Sequence, residues 1–213
     1  MLTIHHLGHS QSERIIWLCE ELELPYALHH YTRDPVSFLS PPELKALHPL
    51  GAAPLIEDGD LLLAESAAIV EYIIVKHGGG RLKLGPEHPD YASFLYWFHF
   101  SNGNLQPAMG RLMMISRANL PKDHAVRVSV HDRLDRVMAL VERRLSEVPF
   151  IASQELTAAD IMIVFSLTTM RIFQPLDLAP YPHIRAYLQR IGDRPAYRRA
   201  MVKCDPDLTP MLS

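Results

Sequence analysis

Apolar and polar positions keep one rhythm up to about residue 80 and another after it. In the first stretch, Leu2 to His6 is predicted as a short strand. Ile15, Leu18, Cys19 and Leu22 then recur at helical spacing until Pro25 closes the helix. Tyr26 to Tyr31 reads as a second strand. A strand, helix and strand in succession predict a parallel pair joined by a right-handed crossover. Leu55-Ile56 and Leu61-Leu62-Leu63 flank Asp58-Gly59, a pair that accepts the positive φ of a hairpin turn. A weaker helix over Pro42 to Leu47 precedes the hairpin. A stronger one from Glu65 to His77 follows it and stops at Gly78-Gly79-Gly80.

A linker rich in Gly and Pro, from Gly78 to Pro89, separates this pattern from a purely helical one. Tyr91, Phe94, Trp97 and Phe98 open a helical stripe in which Pro107 is expected to introduce a kink. Val126, Val130, Leu134, Val137, Val141 and Leu145 mark an amphipathic helix, with Asp132 and Arg136 on its polar side. Thr157 to Phe173 is apolar on nearly every side, which predicts a buried central helix. Thr157-x-x-Asp160 at its start is a capping-box pattern with a structural role. Ile184 to Ile191 and Ala196 to Val202 give two shorter helices. The expected fold is an α/β domain over residues 1–80, followed by an all-α domain over 88–213.

Composition narrows the function classes. The 213 residues carry 24 acidic and 21 basic side chains, a net charge of −3, with 48% hydrophobic residues. This is the balance of a compact globular chain and excludes a disordered tail or a disulfide-dense mini-protein. With a pI near 6.4 and no basic block, no nucleic-acid partner is expected. Cys19 and Cys204 form neither a disulfide framework nor a metal spacing. The most apolar later run, Ile161 to Met170, falls well short of the roughly 20 residues that a membrane span needs. Met1 to Ile4 shows no signal-peptide pattern. The expectation is a cytoplasmic protein with no membrane partner. His5 and His6 lie on opposite faces of a strand and cannot share an ion, so no metal is expected.

No HExxH, GxSxG, Walker loop or dinucleotide fingerprint is present. Ser10-Gln11-Ser12-Glu13 lies where the first strand meets the first helix. Ser10 and Glu13 have the spacing of a capping box, and the same geometry, a hydroxyl beside free N–H groups, also stabilises an anion. Ala53-Pro54 precedes the hairpin, where a cis bond would leave the backbone of Ala53 able to pair with an extended ligand. Glu65-Ser66 opens a helix, either as an acidic first turn or as a site where Ser66 takes a carboxylate and Glu65 an ammonium. Met109, Met113 and Met114 suit either a core or an apolar cleft.

These pieces in this order resemble the cytosolic glutathione S-transferases over the whole chain. The resemblance rests on residues 10–22 (SQSERIIWLCEEL), 48–56 (HPLGAAPLI), 65–69 (ESAAI) and 157–161 (TAADI). The Ser-x-Ser-x-Arg opening is most similar to a branch common in bacteria and fungi. The resemblance implies a thioredoxin-like first domain, a helical second domain and a homodimer. It implies glutathione as co-substrate, held by the backbone of Ala53 before a cis Pro54 and by Glu65 and Ser66. Ser10 is then the residue that hydrogen-bonds the sulfur, with His9, Ser12 and Tyr31 as alternatives. Ala52 departs from members that carry a polar or basic side chain there, which implies a weaker clamp.

The implied chemistry is thiolate activation followed by attack on a small hydrophobic electrophile in an apolar cleft, with Asn102, Gln106, Met109 and Met113 as its expected lining. This scheme needs neither a metal nor a proton relay. Cys19 sits on an apolar stripe, so a thiol–disulfide reductase is not expected. Two alternatives keep the same scaffold: a non-catalytic binding or assembly module, and a glutathione-dependent isomerase or dehalogenase.

Overall fold

A computed structural model describes all 213 residues, which fall into two compact units. The first comprises Met1–Lys83 together with Gly192–Pro210, and the second Leu84–Ile191 with Met211–Ser213.

The first unit is built on a four-stranded sheet of order β2-β1-β3-β4. Strand β1 (Thr3–Leu7) pairs in parallel with β2 (Ala27–Tyr31), and helix α1 (Glu13–Leu22) supplies the crossover. β1 pairs antiparallel with β3 (Leu55–Asp58), which turns through Gly59 at φ +62° into β4 (Leu61–Ala64). Helices α2 (Pro42–Leu47) and α3 (Ser66–Lys76) complete the predicted order. Ile15, Ile16, Leu18, Cys19 and Leu22 are buried, as the helical stripe requires, and Ile69, Val70 and Ile73 of α3 are buried as well. The fold is thus thioredoxin-like, and the strand directions follow the expectation.

The second unit is entirely helical. It runs through α4 (Tyr91–Phe100), α5 (Gln106–Arg117), α6 (Ala125–Glu147), α7 (Ala158–Leu167) and α8 (Pro182–Gly192). The irregularity between α4 and α5 is a π-helical segment, Ser101–Leu105, and Pro107 sits in the first turn of α5. The expected kink at Pro107 is therefore a wide turn just before it, where a proline costs no helical hydrogen bond. On α6 the stripe is buried from Leu134 onward, while Val126 is half exposed. All of α7 is buried, and the helix ends at Leu167 rather than Phe173, followed by a 3₁₀ turn over Thr169–Ile172.

The last helix, α9 (Pro195–Cys204), belongs with the first unit and not with the helical one. It packs along α1. Trp17 and Tyr197 meet edge to face with centroids 5.0 Å apart, Arg194 pairs through two nitrogens with Glu21 at 2.7 and 2.8 Å, and Arg199 meets Glu20 at 2.8 Å. The amphipathic pattern of Ala196 to Val202 announced a helix, but nothing local in it specified which domain would take its apolar face.

The capping box at α7 is formed. Asp160 is fully buried, and its carboxylate accepts from the backbone of Ile151 at 2.8 Å, the backbone of Thr157 at 2.9 Å and the Tyr187 hydroxyl at 2.9 Å. Truncating it strands the buried N–H groups of Ile151 and Thr157, each of which costs about 1–3 kcal/mol when unpaired, and removes an acceptor from the Tyr187 and Thr157 hydroxyls. Asp160→Ala is expected to lower unfolding free energy by roughly 3 kcal/mol or more, against about 1 kcal/mol for Thr157→Ala. Denaturant titration of both variants checks this, and equal losses would contradict it.

Candidate active site

Beyond Leu7 the chain leaves the sheet through Gly8, His9 and Ser10 before α1 begins. His9 takes a left-handed φ of +52°, which turns the backbone so that its N–H reaches both carboxylate oxygens of Asp205, at 3.1 and 3.2 Å. Arg33 holds the other side of this loop by donating to the carbonyls of Gly8 at 2.9 Å and His9 at 3.2 Å. A Cβ on Gly8 would lie 3.1 Å from Asp205 Oδ1, so the close approach of the carboxylate favours glycine there.

Ser10 does not form the expected capping box. The helix starts at Glu13 with Ser12 as its N-cap and no side-chain cap bond, which places Ser10 two residues too early. Its hydroxyl instead accepts from the Ser12 backbone at 3.3 Å and meets the Ser12 hydroxyl at 2.6 Å. Ser12 Oγ also lies 2.8 Å from His6 Nδ1 and accepts from the Leu7 N–H at 3.2 Å. His6 Nε2 points at Asp205, 3.7 Å away and short of a hydrogen bond. Ser12 and His6 are fully buried, while Ser10 keeps 6% of its surface.

The alternatives for the sulfur contact separate by sheet face. Ser10, Ser12 and His9 share one cluster. Tyr31 stacks on the other face with His29, and its hydroxyl is engaged by His5 Nδ1 at 3.0 Å.

A second group joins the remaining motifs. The Ala53–Pro54 bond is cis, and Gln11 donates to the Ala53 carbonyl at 3.5 Å. Glu65, exposed at φ +72°, precedes buried Ser66 at the start of α3. Arg14 links them, donating to Gln11 Oε1 at 2.8 Å and Ser66 Oγ at 3.1 Å. Burial pulls the Arg14 guanidinium down to about 9 against the opposing pull of Glu13, so it still carries its charge at neutral pH. In this way one fully buried cation sets the geometry between the loop at 10–12 and the start of α3.

A model of the glutathione S-transferase N-terminal domain matches residues 10–74, and one of the C-terminal domain matches residues 103–195. Glutathione S-transferase 1 of Saccharomyces cerevisiae is 30% identical over 227 residues, aligning 95% of this chain with 95% of its own length. The chain belongs to the glutathione S-transferase family. Glutathione S-transferase 3 of Schizosaccharomyces pombe is 27% identical and aligns with 100% of this chain and 92% of its own. The crystal structure of a glutathione S-transferase from Actinobacillus pleuropneumoniae superposes with a TM-score of 0.87 at 32% identity, covering 96% of this chain and 93% of that one. A family member from Pseudomonas fluorescens, solved with two glutathione bound, shares the fold with a TM-score of 0.79 at 21% identity, over 94% of this chain and 92% of its own.

Within this family member the expected glutathione positions Ser10, Ala53, Pro54, Glu65 and Ser66 all belong to the first unit, and Gln11 and Arg14 connect them. Sequence reasoning passed over Arg14 and Asp205. Arg14 carried a signal, a lone basic residue beside the apolar stripe of α1. Asp205 carried none, because its partners lie almost the whole chain away. In the helical unit, Asn102 and Gln106 lie at the π-helical turn and are half-buried, as is Met113. Met109, expected in the substrate pocket, is fully buried in the core and offers no surface to a ligand.

His6, His30 and Asp205 bring their donor atoms within 4.8 Å of one another. In this trio His30 Nε2 is spent on the Cys204 carbonyl at 2.6 Å, while His6 uses Nδ1 on Ser12 and turns Nε2 toward Asp205. No helix is long and apolar enough to cross a membrane.

Cys19 and Cys204 are both buried; burial, reinforced by the nearby Glu20, pushes the Cys19 thiol up to about 12, and burial raises Cys204 as well. Neither is available as a thiolate. Iodoacetamide at pH 8 is therefore expected to leave both unmodified in the native protein and to label both after denaturation, as read by intact mass. Rapid labelling of native Cys19 would show that α1 is packed differently.

Proposed function

We propose that this chain is a glutathione transferase that lowers the pKa of the glutathione thiol at Ser10 and directs the thiolate at a small hydrophobic electrophile. The observation that carries this reading is the placement of Ser10. It is the one partly accessible hydroxyl of a buried cluster, and its oxygen already has a donor in the Ser12 backbone. The peptide of glutathione is held away from the sulfur, by the backbone of Ala53 and by Glu65 with Ser66 at the start of α3. Arg14 and Gln11 keep these two groups in register.

The energetics suffice. A free thiol ionises near 8.5, and each unit of lowering needs about 1.4 kcal/mol. A hydrogen bond to a charged acceptor contributes about 1.5–3 kcal/mol and a helix N-terminus roughly 0.3–1 more. Together they lower the thiol by about 1–3 units, enough for thiolate to dominate near neutral pH. A cytoplasmic location and a homodimer complete the reading. The electrophile stays at the level of its class, and an isomerase or dehalogenase would share the same thiol site.

Ser10→Ala is expected to cut conjugation turnover by roughly ten- to a thousand-fold, about 1.4–4 kcal/mol, with a much smaller change in glutathione affinity. Steady-state kinetics with a chloronitrobenzene acceptor checks it, and unchanged turnover would remove Ser10 from the role. Ser66→Ala or Glu65→Ala should raise the apparent KM for glutathione and leave the maximal rate nearly intact, the pattern of lost uniform binding. Retention on immobilised glutathione without any turnover would favour the non-catalytic module instead. Light scattering should report about twice the 24.2 kDa chain mass, and an active monomer would contradict the dimer.

A further inference from the structure

The hydrogen bonds around Ser12 can be counted. A serine hydroxyl has one proton to give and two lone pairs. One lone pair of Ser12 takes the Leu7 N–H, and the Leu7 carbonyl at 3.5 Å competes for the Ser12 proton less closely than the Ser10 hydroxyl at 2.6 Å and His6 Nδ1 at 2.8 Å, which leaves one donor and one acceptor for these two. Ser12 must therefore donate to one and accept from the other. The chain Ser10–Ser12–His6 is continuous in either direction and runs in only one at a time.

Asp205 decides which. Its carboxylate faces His6 Nε2 at 3.7 Å. With the chain running inward, Ser10 donates to Ser12, Ser12 donates to His6 Nδ1, and Nε2 carries the ring proton toward the carboxylate. With the chain running outward from a neutral ring, an Nε2 lone pair would face that negative charge. The resting protein therefore runs inward, and the free lone pair of Ser10 is an acceptor for an incoming proton.

We propose that Ser12, His6 and Asp205 form a buried proton relay that takes the thiol proton of bound glutathione and keeps it inside the protein. This rests on the thiolate-activating reading of Ser10. The sulfur–hydrogen bond breaks as its proton passes to Ser10 Oγ. The Ser10 proton passes to Ser12 Oγ, the Ser12 proton passes to His6 Nδ1, and the electron pair stays on sulfur. One thiol and one neutral imidazole become one thiolate and one imidazolium, so the site gains no net charge. The chain then runs outward, and Ser10 now donates to the thiolate. The relay that removes the proton thus also turns the hydroxyl toward the sulfur. His6, Ser12 and Asp205 touch no substrate and act through Ser10.

The surroundings of His6 suit this role. Burial holds its pKa below the ordinary histidine value, Asp205 opposes that, and His30, ring to ring at 4.8 Å on β2, adds to the lowering. The ring is thus neutral at rest and has a carboxylate beside it when it charges. Asp205 in turn faces His9 and the Arg33 guanidinium, and His6 with the His9 backbone keeps it ionised against the cost of burial. At the end of α9 the Cys204 carbonyl is held by His30, and the Cys204 thiol is kept un-ionised by burial and by the charges of Glu13, Asp205 and Glu20.

The test follows the proton. Protein carrying ¹⁵N-histidine, with His6 assigned through H6Q, is saturated with glutathione at pH 7 and, separately, with S-methylglutathione, which has no thiol proton. Calorimetry in buffers of different ionisation enthalpy counts protons released. The expected result is a His6 ring that becomes imidazolium with glutathione only, with well under one proton released per site. In Ser12→Ala, glutathione should bind within about threefold of the wild type, His6 should stay neutral, and the thiolate fraction at pH 7 should fall about tenfold. Asp205→Asn should lower the imidazolium fraction severalfold without breaking the serine pair. A thiolate that forms with His6 neutral and about one proton released would overturn the relay and leave the transferase reading standing. Failure to bind glutathione at all would overturn both.

Discussion

The site depends on a contact of 2.6 Å between two serine hydroxyls. Each hydroxyl has a single proton, so what Ser10 can offer a ligand is decided by what Ser12 does behind it. Ser12 is itself decided by Leu7 and His6, and His6 by a carboxylate. A surface serine would resolve the same question with water. Here Ser12 and His6 are fully buried, so the protein supplies every partner and the direction of the chain becomes a property of the fold.

Two packing arrangements keep that contact in place. The first is the docking of α9 on α1 through Trp17, Tyr197 and the pairs that Glu20 and Glu21 make with Arg199 and Arg194. It delivers Asp205 to the loop after β1, where the carboxylate holds the His9 backbone as well as facing His6. The second is Arg14, a buried cation that spans Gln11 and Ser66. Its two hydrogen bonds reinforce the longer direct contact from Ser66 Oγ to Gln11 Oε1 at 3.5 Å between the loop at 10–12 and the start of α3. On the proposed reading, a glutathione site assembled from three short motifs needs such ties, because a displacement of the sulfur by an ångström would undo the contribution of Ser10.

Most of the fold was legible in the chain because its signals are local. The parallel β1–β2 pair, the Asp58-Gly59 hairpin, the buried α7 and its capping box each follow from periodicity or from the chemistry of a few neighbouring residues. Membership of the family was legible in stretches of resemblance for the same reason. The misses are non-local or depend on a helix boundary. The start of α1 at Glu13 turned Ser10 from a cap into a side chain available to the cluster, and spacing alone could not separate the two. Met109 lies on a stripe that serves core and pocket equally well until burial is known. Asp205 follows the last helix, and its role arises only when α9 turns back onto α1.

Whether this buried chain of hydroxyls ionises glutathione is read most directly by titrating the ultraviolet thiolate absorbance of glutathione bound to the wild-type protein. The expected apparent thiol pKa lies below about 7, against about 8.5 for a free thiol. Bound glutathione that ionises at its solution value would contradict it.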